Sequence, residues 1–228
     1  MPTNSLYIFQ NRDGYRYNSD TLCLYDFVLR FKPNRAVLDV GCGSGILGLL
    51  IKRDFDVNLT SLDIQSTNID LTKKNAEQNR LKLTTVCIDF LQYETDEKFD
   101  FVVSNPPFYH ECSKKSENES LKISRYSSSL PLEKFIRKVS SVIKPRGSFI
   151  FCYDAKQCDY IFAKLLEYKF KPITIRFVHT KKDKNSKLVL ICARKSSKTL
   201  CEILPPLYMD SFEMEQIYKI ANTWSLEC

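Results

Sequence analysis

Histidine, tryptophan and glycine are scarce in this 228-residue chain, at two, one and six residues. The two histidines, His110 and His179, and the nine cysteines, none in a C-x-x-C pair, build no zinc-ligand spacing, so no metal is expected. No apolar run approaches the roughly 20 residues that span a bilayer. The start, MPTNSLYIFQNRDGYRY, lacks the apolar stretch of a signal peptide. An odd number of cysteines suits a reducing cytosol better than secretion, so the expected location is cytoplasmic. Cys87, Cys152 and Cys192 sit inside apolar runs, where cysteine acts as a small hydrophobe. No internal repeat appears, and no linker divides the chain.

Hydrophobic residues make up 43% of the chain, enough for a full core. Lysine and arginine number 34 against 27 acids, a net charge of +7 that is compatible with an anionic partner such as RNA. The expected organisation is a single domain over 1–228, with an N-terminal arm over 1–20 and a C-terminal tail with a helix over 201–228.

Strand-like and helix-like segments alternate, the pattern of a parallel sheet wrapped by helices. Ser19 or Asp20 is placed to cap a helix carrying Leu22, Tyr25 and Leu29, which Pro33 and Asn34 end. Strands are expected at Ala36–Val40, Asn58–Leu62, Thr84–Ile88, Phe99–Ser104 and, after Gly147, Ser148–Tyr153. Helices are expected near Ile46–Arg53, Ser66–Arg80, from Pro131, near Ala155–Tyr168 and near Phe212–Asn222. Ile173–His179 and Lys187–Ala193 flank the short turn KKDKNS, so they read as an antiparallel pair. Glu111–Ser129 is a long polar stretch rich in Ser and Lys, and loops of that length are usually functional or mobile.

Val37 to Gly45 reads VLDVGCGSG, a strand entering a glycine turn and then a helix. Such a turn lets a nucleotide approach bare backbone and helix N–H groups. Gly43, Gly45 and Gly48 also satisfy G-x-G-x-x-G, the dinucleotide fingerprint. Two features separate the cofactor classes. Asp39 stands just before Gly41, where a carboxylate repels a pyrophosphate but suits an ammonium and a sulfonium. Asp63, which ends the second strand, can hold ribose hydroxyls in either class and does not separate them. Asp89, with Phe90 beside it, ends the third; it suits an adenine amino group, and it can equally cap a turn. Three strand-end acids face one sheet edge.

Asn105-Pro106-Pro107-Phe108 ends the fourth strand. The prolines hold the backbone with little freedom. Asn105 offers a side-chain carbonyl and Pro106 a main-chain carbonyl, so two acceptors can hold one NH2 group. That arrangement favours pyramidalisation of a planar nitrogen as a methyl group arrives, and Phe108 can stack on the target. No strong base is required, because attack on a sulfonium expels a neutral leaving group. His110 lies near the motif, but a loop histidine is more often simply solvated.

On these motifs the chain resembles class I S-adenosylmethionine-dependent methyltransferases. Within them it is similar to the bacterial family that methylates N6 of the adenine beside the anticodon of valine tRNA. Gln10 with Gly14–Thr21, the core from Val37 to Phe108, and Ser124–Leu130 followed by Ile143–Gly147 carry the closer likeness. The resemblance implies an α/β fold: a Rossmann-like, seven-stranded, mostly parallel sheet with helices on both faces and an antiparallel C-terminal hairpin. It implies S-adenosylmethionine as cofactor, with Asp39, Gly41, Gly43 and Gly45 near its methionine end. Asp63 and Ile64 fall near the ribose, and Asp89 and Phe90 around the adenine. Asn105, Pro106, Pro107 and Phe108 are expected at the target nitrogen, with Asn105 bordering the cofactor as well. Tyr15 and Thr21 belong to an arm that closes over the cofactor. Phe108 replaces the commoner Tyr and also occurs in enzymes acting on guanine N2. The alternatives are therefore an rRNA guanine-N2 enzyme or a protein glutamine-N5 enzyme. The latter usually carries an N-terminal helical domain, and only about 35 residues precede the glycine motif here. Lys114, Lys115, Lys122 and Arg125, interleaved with Tyr109 and Tyr126, are candidate RNA contacts, as are Lys181, Lys182 and Lys184 in the late turn.

Overall fold

The computed structural model describes residues 5–10, 18–107 and 130–227. Its strands are β1 (Leu6–Gln10), β2 (Arg35–Val40), β3 (Val57–Asp63), β4 (Thr84–Cys87), β5 (Phe99–Ser104), β6 (Ile143–Asp154), β7 (Phe170–His179), β8 (Ser186–Lys195), β9 (Glu202–Ile203), β10 (Leu207–Tyr208) and β11 (Thr223–Glu227). Its helices are α1 (Ser19–Leu29), α2 (Ile46–Asp54), α3 (Ser66–Gln78), α4 (Leu132–Val142), α5 (Cys158–Glu167) and α6 (Phe212–Ala221).

The main sheet has the order β10-β7-β8-β6-β5-β2-β3-β4. Seven of its strands are long, as expected; the two-residue β9 and β10 line up along the outer edge of β7. They pair with backbone groups that an edge strand otherwise leaves open. β8 is antiparallel to both β6 and β7. From β2 the chain steps outward through β3 to β4, and then returns to β5 and β6 on the other side. Right-handed crossovers in opposite directions put α2 and α4 on opposite faces. The buried aromatic cluster of Phe135, Phe149, Phe151 and Phe170 fills the α4 side, with Phe149 and Phe151 stacked at 4.3 Å.

Two boundaries differ from expectation for local reasons. The cap of α1 is Asn18, whose side chain accepts from the Asp20 N–H, and Ser19 and Asp20 form the first turn. Strand β6 begins at Ile143 rather than after Gly147. Its pairing with β5 jumps from Phe99↔Ile143 to Phe101↔Ser148, an irregularity in which Arg146 adopts φ +63°.

The β1 and β11 strands pair in parallel, forming a separate two-stranded sheet from the two ends of the described chain. Helix α3 docks it through two asparagines one helical turn apart. Asn79 exchanges hydrogen bonds with the Tyr7 N–H (2.8 Å) and carbonyl (2.7 Å), and Asn75 does so with Phe9 (2.7 and 3.1 Å). The amide side chains thus imitate a neighbouring strand. Asn75 Nδ2 also donates to the Ser44 carbonyl at 2.8 Å, which ties this ribbon to the glycine loop.

Helix α6 is held by two arginines. Arg53 donates to the carbonyls of Ala221 (2.6 Å) and Ile220 (3.3 Å), satisfying the helix end. Arg176, 6% exposed, grips Glu213 through Nη2 at 2.7 and 2.8 Å and the Pro205 carbonyl at 3.1 Å. Replacing Arg176 with Met leaves those acceptors without their cation. The expected loss is about 2–3 kcal/mol, read as a lower urea midpoint at unchanged slope. An unchanged midpoint would show that the tail is held by packing alone.

Candidate active site

Sheet order reverses between β2 and β5, and open α/β sheets bind ligands at the carboxyl ends of the strands flanking such a reversal. A cleft open to solvent occupies that place. The end of β2 supplies Asp39 and the glycine loop, and the end of β3 supplies Asp63 and Ile64. Asp89 and Phe90 follow β4; Asn105 and Pro107 follow β5. Thr21 of α1 completes one wall. Gly41, Gly43, the three acids, Ile64, Phe90, Thr21 and Asn105 therefore line one cleft; Gly45 does not line it, and a Cβ there would come 2.8 Å from Thr72 Cγ2.

Two glycines are demanded by geometry. Gly43 has φ +57°, and a Cβ there would meet no atom within 4 Å, so a side chain would stand in the open space the loop borders. Gly48 lies where α2 crosses β2; its Cβ would come 2.8 Å from Asp39 Oδ2.

The acids do structural work as well. Asp39, 1% exposed, accepts the Gly48 N–H at 3.0 Å, one of the first-turn donors that a helix leaves unpaired. Burial pushes its carboxyl up to about 7, against the pull of the Gly48 N–H, and the nearby charge of Asp63 adds to the rise. Asp63 accepts from Gly43 N–H and Gln65 N–H, both at 2.9 Å, so it braces the loop from β3. Burial raises its carboxyl too, opposed by those two N–H groups. Asp89 accepts the Leu91 N–H at 2.9 Å, so it caps the short turn Phe90–Gln92 while lining the cleft. Phe90 is 3% exposed and sits edge-on to Phe135.

Asn105 is half-buried. Its Nδ2 donates to Thr21 Oγ1 at 2.9 Å, and its Oδ1 accepts from Cys152 Sγ at 2.9 Å. Pro106 is buried next to it and does not line the cleft. Tyr15, Phe108, His110, Lys114, Lys115, Lys122 and Arg125 lie outside the described residues.

Several lining residues went unread in the sequence. Gln65 precedes α3, Asn68 lies in its first turn, and Leu130 precedes α4. Only adjacency to Asp63 marks the first two, and nothing local marks Leu130. Cys152 read as core filler. Among the described residues no cluster of three His, Cys, Asp or Glu side chains can hold a metal. No helix among them is long and apolar enough to cross a membrane.

The methyltransferase small domain family matches residues 22–182. The chain belongs to that family. Its similarity extends to the tRNA1(Val) (adenine(37)-N6)-methyltransferases of Aliivibrio fischeri, 30% identical over 148 residues covering 58% of this chain and 62% of that one, and of Bacteroides thetaiotaomicron, 29% identical over 136 residues covering 58% and 57%. The chain thus spans about three fifths of the length of these relatives. A shorter segment of 74 residues is 38% identical to a ribosomal RNA small subunit methyltransferase C of Actinobacillus pleuropneumoniae, covering 32% of this chain and 22% of that one. Among solved structures, a predicted O-methyltransferase of Agrobacterium tumefaciens has TM-score 0.70 at 15% identity, covering 91% of this chain and 99% of that one. The T. thermophilus 16S rRNA N2 G1207 methyltransferase, in complex with AdoMet and guanosine, has TM-score 0.55 at 19% identity, covering 79% and 44%. The seven-stranded order and the antiparallel β8 agree with the expected methyltransferase fold.

Proposed function

We propose that this chain is an S-adenosylmethionine-dependent methyltransferase acting on the exocyclic N6 amine of adenine in tRNA, within a single domain. The observation that carries the reading is the pairing of Asn105 with three strand-end acids around one cleft at the reversal of sheet order. The donor set fits the cofactor. S-adenosylmethionine carries a sulfonium and an ammonium, and the cleft opposes them with buried carboxylates and a bare glycine backbone. The cofactor supplies an electrophilic methyl group when bound.

The chain's own residues do the rest. Asp39 faces the cationic methionine end, Asp63 and Ile64 the ribose, and Asp89 and Phe90 the adenine. Gly41 and Gly43 admit the ligand to the backbone, and Gly45 lets the loop turn into α2 against Thr72. Asn105 accepts from the target NH2, Pro106 and Pro107 stiffen the turn, and Phe108 stacks on the base. Tyr15 and Thr21 close the cleft.

RNA as the partner is supported by net charge +7 and by the hairpin tip between β7 and β8. Lys181, Lys182 and Lys184 are exposed there, at the same sheet edge as the cleft. The start of β8, just past that tip, is close to α1: Lys187 Nζ is 3.9 Å from Asp20. Lys114, Lys115, Lys122 and Arg125 are proposed to share the contact. A second reading, guanine N2 of rRNA, is favoured by the 38% identity over 74 residues and by Phe108. The two readings and a glutamine amide acceptor separate in one assay. Labelled S-adenosylmethionine is offered with unmodified tRNA, ribosomal RNA and a glutamine-containing protein together. Label is expected in tRNA; label confined to either other acceptor would reject the assignment.

A pH dependence follows from Asp39. With its carboxyl at about 7, well above the ordinary value, it holds a proton in the empty site at mildly acidic pH. In the unliganded protein this favours folding below the ordinary carboxylate range, and the advantage is lost as pH rises through about 7. A cationic ligand needs the carboxylate, so binding releases the proton. Cofactor affinity is expected to be about tenfold weaker at pH 6 than at pH 8, and nearly flat in Asp39→Asn. Calorimetric titration in buffers of different ionisation heat measures the released proton. A pH-independent wild-type affinity would remove Asp39 from the cationic end.

A further inference from the structure

The carboxamide of Asn105 has two ends of nearly equal size and opposite polarity. Its oxygen accepts from an incoming amine; its nitrogen presents donors to that amine's own donors. If Asn105 receives the target amine, as proposed above, turnover depends on which end is presented, and a freely rotating amide offers the wrong one part of the time.

Two side chains from different elements hold this amide. Thr21, 3% exposed on α1, accepts from Nδ2 at 2.9 Å. Cys152, 0% exposed on β6, places its sulfur 2.9 Å from Oδ1. A hydroxyl can accept or donate, so Thr21 alone does not distinguish the two ends. The thiol does, because of the two amide ends only the oxygen can accept its S–H. Burial, with the charge of Asp20 and the neighbouring Cys23, pushes the Cys152 thiol far up, so it stays a donor at every working pH. An sp2 oxygen carries two lone pairs. Cys152 takes one, and the other remains for a ligand in the cleft that Asn105 lines.

The geometry points to Thr21 and Cys152 as positioning residues that fix the Asn105 carboxamide with its oxygen available to the target nitrogen. Thr21 therefore acts through Asn105 as well as closing the cleft. Neither residue is required to touch the reacting atoms.

The test uses the full chain in four forms: wild type, Thr21→Val, Thr21→Ser and Cys152→Ala. The first readout needs no acceptor. In protein labelled with 15N-asparagine, the Asn105 side-chain NH2 pair is assigned by its loss in Asn105→Ala. Its two protons are expected to be well separated in wild type and Thr21→Ser. In Thr21→Val they should move toward the spacing of a free amide. The second readout is turnover on whichever nucleic acid the wild type methylates, with cofactor affinity measured alongside. Thr21→Val should lower kcat by about 10- to 100-fold, a loss larger than any rise in cofactor Kd. Cys152→Ala should lower kcat in the same direction, and Thr21→Ser should restore it. An unmoved amide pair, or unmoved kcat in both Thr21→Val and Cys152→Ala, overturns the clamp. Cofactor affinity falling in Thr21→Val with kcat retained also overturns it, since Thr21 would then be only a cofactor contact. Failure of the adenine reading shows differently: the wild type itself would label another acceptor.

Discussion

Asn105→Ala is expected to lower methyl transfer by about 10²- to 10³-fold while leaving S-adenosylmethionine affinity within about threefold of wild type. Asn105 lies at the end of β5, across the reversal of sheet order from the glycine loop, and it is half-buried on the wall of the cleft. An adenine amine is a poor nucleophile because its lone pair is shared with the ring. An acceptor that pulls on its N–H favours the pyramidal nitrogen, which exists only as the new bond forms, so the contact acts on kcat more than on binding. The removed atoms touch Thr21 and Cys152, and none of the acids. Asp39, Asp63 and Asp89 keep their own bonds to Gly48, Gly43 and Leu91 in the variant, so the cofactor's side of the cleft is preserved. Single-turnover transfer and equilibrium cofactor binding, measured on one preparation, separate the two effects. Retained turnover would mean that Asn105 does not receive the target.

Asp63→Ala is expected to do the reverse. Cofactor Kd should rise by about 30- to 100-fold, the worth of one or two charge-assisted hydrogen bonds. Part of the loss is direct, at the ribose hydroxyls. Part comes through the loop, because Asp63 holds the N–H groups of Gly43 and Gln65 at 2.9 Å and their alignment ends with it. Asp63→Asn discriminates poorly between these, because its NH2 must face one of those two donors. It should therefore be nearly as damaging as alanine despite its similar size. At saturating cofactor, kcat in Asp63→Ala should fall far less than in Asn105→Ala. Unchanged affinity in Asp63→Ala would remove it from the cofactor site.

What the sequence allowed to be read, and what it did not, follows from the range of the interactions. The alternation of apolar runs with amphipathic segments marked the seven long strands, because each strand of a parallel sheet needs its own apolar stretch. The acids and the Asn105 turn were legible because they stand at strand ends, and strand ends in a parallel sheet share an edge. Contacts made across the chain left no local mark. β1 and β11 pair over more than 200 residues, and the asparagines that dock β1 read only as polar residues of a polar-faced helix. Strand β6 begins four residues before Gly147, since a bulge can carry glycine and a positive φ inside a strand that sequence takes for a break. Asp89 shows that two readings can both hold: it caps a turn and lines the cleft. Cys152 looked like core filler because it sits inside an apolar run; only the structure reveals that its thiol meets Asn105.

The decisive measurement is the identity of the labelled nucleoside. Unmodified tRNA is incubated with the protein and S-adenosylmethionine labelled in its methyl group, digested to nucleosides and separated. N6-methyladenosine carrying the label, lost in Asn105→Ala, is the expected result. Label in N2-methylguanosine, on a ring nitrogen or on a ribose would contradict an adenine N6 held at Asn105.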